Sequence, residues 1–350
     1  MFTEKNKGGI IMRFIIAKPE NRMSPGNLFY SIPLHEEAAK AYEKLESMCL
    51  SKYEEILSDK LSVIDQTIIS AQIQKELEIV KATDSALAFL MMAEIAKLSE
   101  EQGYPAILLG NESGLIISYL LGISNVQPCQ LGYSTTPSDI IYDEVLYKDE
   151  LTFTLAIAEP VRKFVQGRMD RCFCNIEDNK YCFKKIDLPD NSMLKTIGDR
   201  SKETGINYMD INLEDEKLIE AVNNDICRSD FNCEPYYPVP KNTLNLAKVF
   251  AYACCSTESK DNFTAIKDYV FCDDIYEALK KAEISAGKII QLIRNWCTGE
   301  KKENVLKMFE EYGVDEKMID VYRELYNQWH ATSSLARVNA LIMLKYFENK

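Results

Sequence analysis

Residues 107–126 read "ILLGNESGLIISYLLGISNV", which predicts an apolar strand, a tight glycine turn and an apolar helix. Backbone N–H groups at a helix N-terminus attract anions, and small residues allow a phosphate to approach them. Gly110, Ser113 and Gly114 meet this requirement and are the candidate nucleotide-binding residues. Two interpretations follow: the loop binds a phosphate, or it only turns the chain.

Glu112 and the lack of nearby cations favour the structural turn. The Glu112 carboxylate lies where an incoming anion would bind, and it can itself satisfy the positive end of the helix. The sequence has no Arg or Lys between Lys97 and Lys148, so no local side chain can hold a phosphate by charge. The spacing also differs from the Walker loop and from the dinucleotide fingerprint.

The remaining candidate groups are two histidines and a set of cysteines. His35 and His330 lie far apart and lack a neighbouring Cys or Ser elbow, so we expect structural roles for both. Cys172, Cys174 and Cys182 can offer three thiolates, but strand alternation also puts the first two on one face as ordinary packing. A closed zinc site needs a fourth ligand, and the sequence therefore predicts no metal.

The elements before the loop are helical. Apolar periodicity covers residues 36–58 and 63–82, and the signal Thr83-Asp84-Ser85 predicts a helix over 84–101. The apolar face of the second helix is predicted to hold Ile68, Ile69, Ile73, Leu77 and Val80.

After the loop, residues 140–186 predict strands, with a hairpin closing at 177–179. Pro189-Asp190 begins a helix that Gly205 ends. Asn212 then caps another helix, with Asp215 at the reciprocal position.

Composition and charge indicate a folded, acidic protein. The apolar fraction is 46% and the net charge is −13, which disfavours a general nucleic-acid binder. The early apolar run "GIIMRFII" is short and interrupted by Arg13, so it predicts a strand rather than a signal peptide or a membrane span. With no export signal, eleven cysteines indicate reduced thiols, and we expect a cytoplasmic protein.

One basic stretch, residues 161–185, has seven basic and three acidic side chains. Its aromatic residues alternate with the charges, as a single-strand binder requires. The sequence predicts that any nucleic-acid binding is weak and uses this stretch; the alternative is a solvated hairpin with its aromatics in the core. The candidate nucleic-acid-binding residues are Arg162, Lys163, Arg168, Arg171, Lys184 and Lys185, and Lys180 belongs to the same stretch.

Three collinear segments carry longer motifs. They are "IQKELEIVKATDSALAFLMMAEIAKLSEEQGYPAILLGNESGLIISYLLGISNVQP", "FKKIDLPDNSMLKTIGDRSKETGINYMDINLEDEKLIEAV" and "YGVDEKMIDVYRELYNQWHATSSLARVNALIMLKYF". In this order they resemble parts of the palm and the fingers of bacterial DNA polymerase III alpha subunits, especially of the PolC type.

The resemblance implies a palm related to the polymerase-beta nucleotidyltransferases and a helical fingers lobe. Such a palm needs carboxylates that hold two metal ions. By resemblance, Asp187 in "KID" matches the family's third aspartate and is the remnant catalytic candidate. The family motif "PDIDLNF", with two metal-binding aspartates, has no counterpart. Family members place that motif and a thumb in the interval that here holds only 60 residues between Ser124 and Lys185.

At the positions where the resemblance places the family's cationic residues, this sequence has uncharged residues. By resemblance, the loop arginine falls on Leu109, and the Lys, His and Arg of the fingers fall on Ala331, Ser333 and Met343. The fingers tyrosine falls on Arg337. The resemblance therefore keeps residues that specify a fold and loses residues that bind a triphosphate.

We accordingly expect a predominantly helical α+β protein with a reduced polymerase-beta-like palm and a helical fingers-like lobe. Residues 1–62 form an N-terminal strand and helical segment, and 63–229 form the palm-like domain. A linker that contains three prolines follows over 230–241, and 242–350 form the fingers-like domain.

The leading hypothesis is a PolC-like protein that is catalytically inactive and acts by binding. Its expected partner is a replication protein, a polymerase of the same family or, weakly, a nucleic acid, with no membrane and no cofactor. One alternative is a reduced nucleotidyltransferase that binds Mg²⁺; another is a nucleotide sensor without turnover. The rebuilt metal site would combine Asp187 with Asp139, Asp143, Asp149 or Glu150.

Overall fold

The computed structural model describes residues 14–15, 27–31, 36–56, 62–83, 85–131, 153–168, 183–228, 240–255, 269–298, 302–312 and 330–350. The chain forms two compact units. The first comprises residues 1–126 and 149–208, and the second comprises 127–148 and 209–350.

Most described residues are helical, and a small sheet completes a predominantly helical α+β fold, as predicted. In chain order the helices are α1 (Glu36–Ile56), α2 (Val63–Ala82), α3 (Ala86–Glu101), α4 (Ile116–Leu120), α5 (Glu159–Arg168), α6 (Ser192–Thr204), α7 (Glu216–Arg228), α8 (Thr243–Cys255), α9 (Cys272–Lys281), α10 (Ala286–Thr298), α11 (Lys302–Glu311) and α12 (Ala331–Glu348). Among the described residues, no helix is long and apolar enough to cross a membrane.

The sheet lies in the first unit and has five strands in the order β1-β2-β5-β4-β3. The strands are β1 (Phe14–Ile15), β2 (Asn27–Ser31), β3 (Ile107–Leu108), β4 (Phe153–Ala156) and β5 (Phe183–Asp187). β4 and β5 are parallel, whereas the other neighbouring pairs are antiparallel. The strand predicted before the glycine loop and the last strand predicted within 140–186 are therefore β3 and β5 of one sheet, with β4 between them.

The helices α1 to α4 supply much of the first unit's core. The sequence of α3 is apolar on every side near its start, and residues 86–92 are all buried. Phe89 of α3 meets Phe153 of β4 edge to face, with ring centroids 5.6 Å apart. On α2 the predicted apolar face is correct for four of its five residues, but Ile68 is exposed.

Two local predictions after the loop are wrong. Residues 159–168 form α5 rather than a strand, and α5 lies in sequence between the parallel strands β4 and β5. The N-terminus of α7 is capped by Asp215, whose Oδ1 accepts from the N–H groups of Lys217 and Leu218. Asn212 instead accepts from the Glu214 N–H and closes the turn before the cap.

The second unit is helical throughout its described part. Between residues 240 and 350, the structure describes helices and no strand, in agreement with the prediction of a helical segment. Its core contains the fully buried rings of Tyr252, Phe271, Tyr276 and Phe309. This unit also includes α7, which the sequence grouped with the palm-like segment.

Candidate functional site

The glycine loop connects β3 to α4 and is held by backbone hydrogen bonds, one of them to β4. The Leu109 N–H donates to the Thr154 carbonyl of β4 at 2.8 Å, and the Ser113 N–H donates to the Gly110 carbonyl at 3.0 Å. Asn111–Gly114 then form a short 3-10 helix. The candidate nucleotide-binding residues are all buried: Gly110, Ser113 and Gly114.

A carboxylate from α2 occupies the N-terminus of α4. Oε1 and Oε2 of Glu76 accept from the N–H groups of Ile116 and Ile117 at 3.0 and 2.9 Å. The Glu76 residue is 0% exposed. A bound phosphate would accept from the same N–H groups at the start of the helix. Glu76 already provides, from within the protein, the negative charge that this helix end favours.

Glu112 has a different role from the predicted one. Its Oε1 accepts from the Thr154 N–H at 3.0 Å, and its backbone carbonyl accepts from the Ser118 hydroxyl at 2.7 Å. The side chain of Glu112 is directed to β4, and α4 is capped by Glu76 instead. The expectation that Glu112 satisfies the helix end is therefore wrong.

The role of Glu76 has a signal in the sequence. Glu76 lies seven residues after Ile69 and three after Ile73, on the buried stripe of α2. A carboxylate on the core face of an amphipathic helix requires a buried hydrogen-bonding partner. The partner lies forty residues further along the chain, and no local pattern identifies it.

The buried carboxylate also affects a neighbouring thiol. Burial, followed by the negative charges of Glu76 and Glu46, raises the pKa of Cys49 to about 12. Cys49 is fully buried in α1 and is therefore a protonated packing residue rather than a nucleophile.

Asp187 is the last residue of β5 and is half-buried. In the sheet it is paired with Asn27 of β2 and Thr154 of β4. Within the described part of the chain, no set of three His, Cys, Asp or Glu side chains gathers around it. The carboxylates named for a rebuilt site lie outside the described residues: Asp139, Asp143, Asp149 and Glu150.

The basic stretch is only partly described. Arg162 of α5 forms an ion pair with Asp190, and its side chain is 13% exposed. Lys163 pairs with Glu159 at 2.6 Å and is 72% exposed. Arg168 ends α5, and Lys184 and Lys185 lie in β5. Five other candidates lie outside the described residues: His35, Arg171, Cys172, Cys174 and Cys182. Lys180 lies outside them too.

The fingers-like positions lie on α12. Ala331, Ser333 and Met343 are buried in the second unit. Arg337 donates to the Ser333 hydroxyl at 2.7 Å, one turn earlier in the helix. The three positions that resemblance assigns to the family's Lys, His and Arg therefore form part of a core, and none of them carries a charge.

A further cluster of reactive groups lies in the second unit. Asp273 Oδ1 is 3.5 Å from His330 Nδ1, and Asp273 Oδ2 accepts from the Ala331 N–H at 2.7 Å. The Cys272 thiol lies 3.8 Å from Asp273 Oδ2. Cys272 and Asp273 precede His330 by 58 and 57 positions in the sequence, and only the fold brings them to it.

Comparison with known families finds a match to part of the chain. Residues 43–159 match the family of the bacterial DNA polymerase III alpha NTPase domain. The matched segment runs from α1 to the start of α5, and it contains both the glycine loop and Glu76. The polymerase III alpha resemblance inferred from the sequence is thus confirmed for this segment. No curated protein matches the chain.

Proposed function

We infer that this protein is a polymerase III alpha-like protein that has lost nucleotidyl transfer and acts by binding a replication protein or a polymerase of the same family. The first unit is a reduced palm related to the polymerase-beta nucleotidyltransferases, and the helices of the second unit correspond to fingers. The observation that supports this proposal best is the Glu76 carboxylate on the N-terminus of α4.

The electrostatics of the loop support this proposal. A triphosphate brings several negative charges and needs cations around it. The loop offers a buried carboxylate at the helix start, a second buried carboxylate at Glu112, and a leucine where the family's arginine falls. An anion placed there would be repelled rather than bound.

The fingers-like helix supports the same conclusion independently. A buried Ala, Ser or Met cannot neutralise phosphate charge, and each of the three lies in the packed interior of its unit. We therefore attribute the surviving resemblance to the fold and not to the reaction.

Primer extension tests the loss of chemistry. With a primed template, dNTPs and Mg²⁺ or Mn²⁺, we expect the purified protein to give no extended product, measured on a denaturing gel beside a working polymerase III alpha subunit. The cause is the missing aspartate pair together with Leu109, Ala331 and Met343 at the cationic positions. Extension that disappears in Asp187→Asn would contradict the proposal, because it would reveal a working metal site.

Nucleic acid is the weaker candidate partner. Arg162 is already paired with Asp190, so Lys163, which is 72% exposed, is the described side chain of α5 best suited to meet a phosphate, and Arg168 is the next basic residue of the stretch in sequence. We expect single-strand affinity in the non-specific range, roughly 10⁻⁴ to 10⁻⁶ M at physiological salt.

Charge reversal tests this contact. In Lys163→Glu/Arg168→Glu, the slope of log affinity against log salt should become shallower by about 1.4, since each single-strand phosphate contact contributes about 0.7. Lys97→Glu is the control, because Lys97 is 75% exposed on α3 and, like Lys163, pairs with a glutamate four residues away. A slope unchanged by the double reversal would place the contact elsewhere.

A further inference from the structure

Three different kinds of metal-ligand side chain meet where α9 and α12 begin. Cys272 is the first residue of α9, Asp273 follows it, and His330 immediately precedes α12. One ligand atom of each residue lies within 4.8 Å of the other two. Cys272 and Asp273 are 4% and 2% exposed, and the His330 side chain is 11% exposed.

We propose that Cys272, Asp273 and His330 bind one zinc ion. In a tetrahedral site with zinc–sulfur bonds of about 2.3 Å and zinc–nitrogen or zinc–oxygen bonds of about 2.1 Å, neighbouring ligand atoms are roughly 3.4–3.6 Å apart. Nδ1 of His330 and Oδ1 of Asp273 are 3.5 Å apart, and the Cys272 sulfur is 3.8 Å from Oδ2 of Asp273. The His330–Asp273 spacing therefore matches a tetrahedral site, and since one ligand atom of each residue lies within 4.8 Å of the other two, zinc binding requires only a contraction of the cluster.

The charges of this set match a divalent ion. A Cys272 thiolate and an Asp273 carboxylate neutralise Zn²⁺, while His330 contributes a neutral imidazole. The metal centre then carries no net charge, which matters because an uncompensated buried charge is strongly destabilising. Sulfur and nitrogen ligands also select zinc over Mg²⁺ and Ca²⁺, which prefer oxygen.

The surrounding hydrogen bonds orient the ligands. The Ala331 N–H donates to Asp273 Oδ2 at 2.7 Å, which fixes the carboxylate against the start of α12. Ligating carboxylates in metal sites are commonly held by such a bond. Three protein ligands leave a fourth position for water or another donor, as in the zinc sites that keep one position open.

The burial of the thiol distinguishes a metal site from a nucleophile. Cys272 is 4% exposed, so a substrate carbonyl has no access to its sulfur, whereas a small ion needs only the three ligand atoms. A zinc ion here would link the first turns of two helices that lie more than fifty residues apart, and it would stabilise the second unit.

Cobalt substitution tests the proposal on the full chain. After removal of metals with a chelator, we expect one equivalent of Co²⁺ to produce the visible bands of a tetrahedral site and a thiolate-to-cobalt charge-transfer band, and Zn²⁺ to displace both. Cys272→Ser should abolish the charge-transfer band, and His330→Gln should weaken Co²⁺ binding at least tenfold. Zn²⁺ should also raise the melting temperature of the wild-type chain but not that of Cys272→Ser or His330→Gln.

Controls make the test specific to this cluster. Cys254→Ser removes a half-buried thiol from the same unit and should leave the cobalt spectrum unchanged. Asp273 is left intact because its carboxylate accepts from the first N–H of α12. Circular dichroism checks that Cys272→Ser and His330→Gln are folded. A cobalt spectrum that persists in Cys272→Ser, or no tetrahedral spectrum in the wild type, would overturn the proposal; His330→Gln decides the matter if Cys272→Ser fails to fold.

Discussion

Glu76→Ala is expected to lower the free energy of unfolding of the first unit by about 3 kcal/mol. The substitution leaves the N–H groups of Ile116 and Ile117 without the carboxylate that accepts from both of them. Each buried donor left unsatisfied costs about 1–3 kcal/mol. Urea unfolding measures the total change, and amide hydrogen exchange at Ile116 and Ile117 should accelerate more than at other buried amides.

Two companion variants identify the cause. Glu76→Gln keeps the size and one acceptor oxygen, so its effect should lie between wild type and Glu76→Ala. Glu78→Ala removes an exposed glutamate from the same helix and should change stability by no more than about 0.5 kcal/mol. Equal effects of Glu76→Ala and Glu78→Ala would contradict the role assigned to the buried carboxylate.

Gly198→Ala should destabilise the first unit by about 2–3 kcal/mol through overpacking. Alanine in a helix interior is ordinarily about 1 kcal/mol better than glycine. At this position of α6, however, a Cβ would lie 2.1 Å from Cδ1 of Tyr104 and 2.7 Å from the Gly103 carbonyl oxygen. The sign of the expected change is therefore opposite to the helix preference.

Tyr104 cannot easily move away from the new methyl group. Its hydroxyl donates to Asp199 at 2.9 Å, and the Lys202 ammonium lies 3.4 Å from the ring centroid. Thermal or urea unfolding checks the prediction, with Glu203→Ala as an exposed control in the same helix. Stabilisation by Gly198→Ala would show that α6 does not pack on residues 103–104 as described.

Local rules were sufficient for the elements with strong periodicity and capping. The second helix was predicted at 63–82 and is observed over Val63–Ala82, where Ser62 caps its N-terminus. Gly205, with φ of 71°, ends α6 as predicted, because glycine adopts this left-handed conformation without strain. Such signals act within one or two helical turns, so the sequence alone reveals them.

Pairings between distant segments were not predictable in the same way. β2 was not predicted, although its five residues pair with β5 across more than 150 positions of sequence. The apolar residues of "EPVRKFVQGR" are compatible with a strand or a helix. Packing within the first unit favours the helix that is observed. A short apolar run does not contain that information.

The candidate site was likewise predictable where the signal was local and not where it depended on distant residues. The lack of cations near the loop was visible in the sequence, and it led to the structural turn. The identity of the capping carboxylate was not visible, because Glu76 and Ile116 are forty residues apart. The meeting of Cys272 and Asp273 with His330 likewise depends on two helix starts that only the fold brings together.

Nucleotide titration tests the central claim most directly, because it separates a binding protein from both an enzyme and a sensor. In calorimetry with any dNTP and Mn²⁺, we predict no saturable, metal-dependent heat, since the buried carboxylates of Glu76 and Glu112 lie at the loop and Ala331, Ser333 and Met343 carry no cation. A saturable heat that needs Mn²⁺ and is lost in Asp187→Asn, but kept in the exposed control Glu78→Gln, would contradict the account.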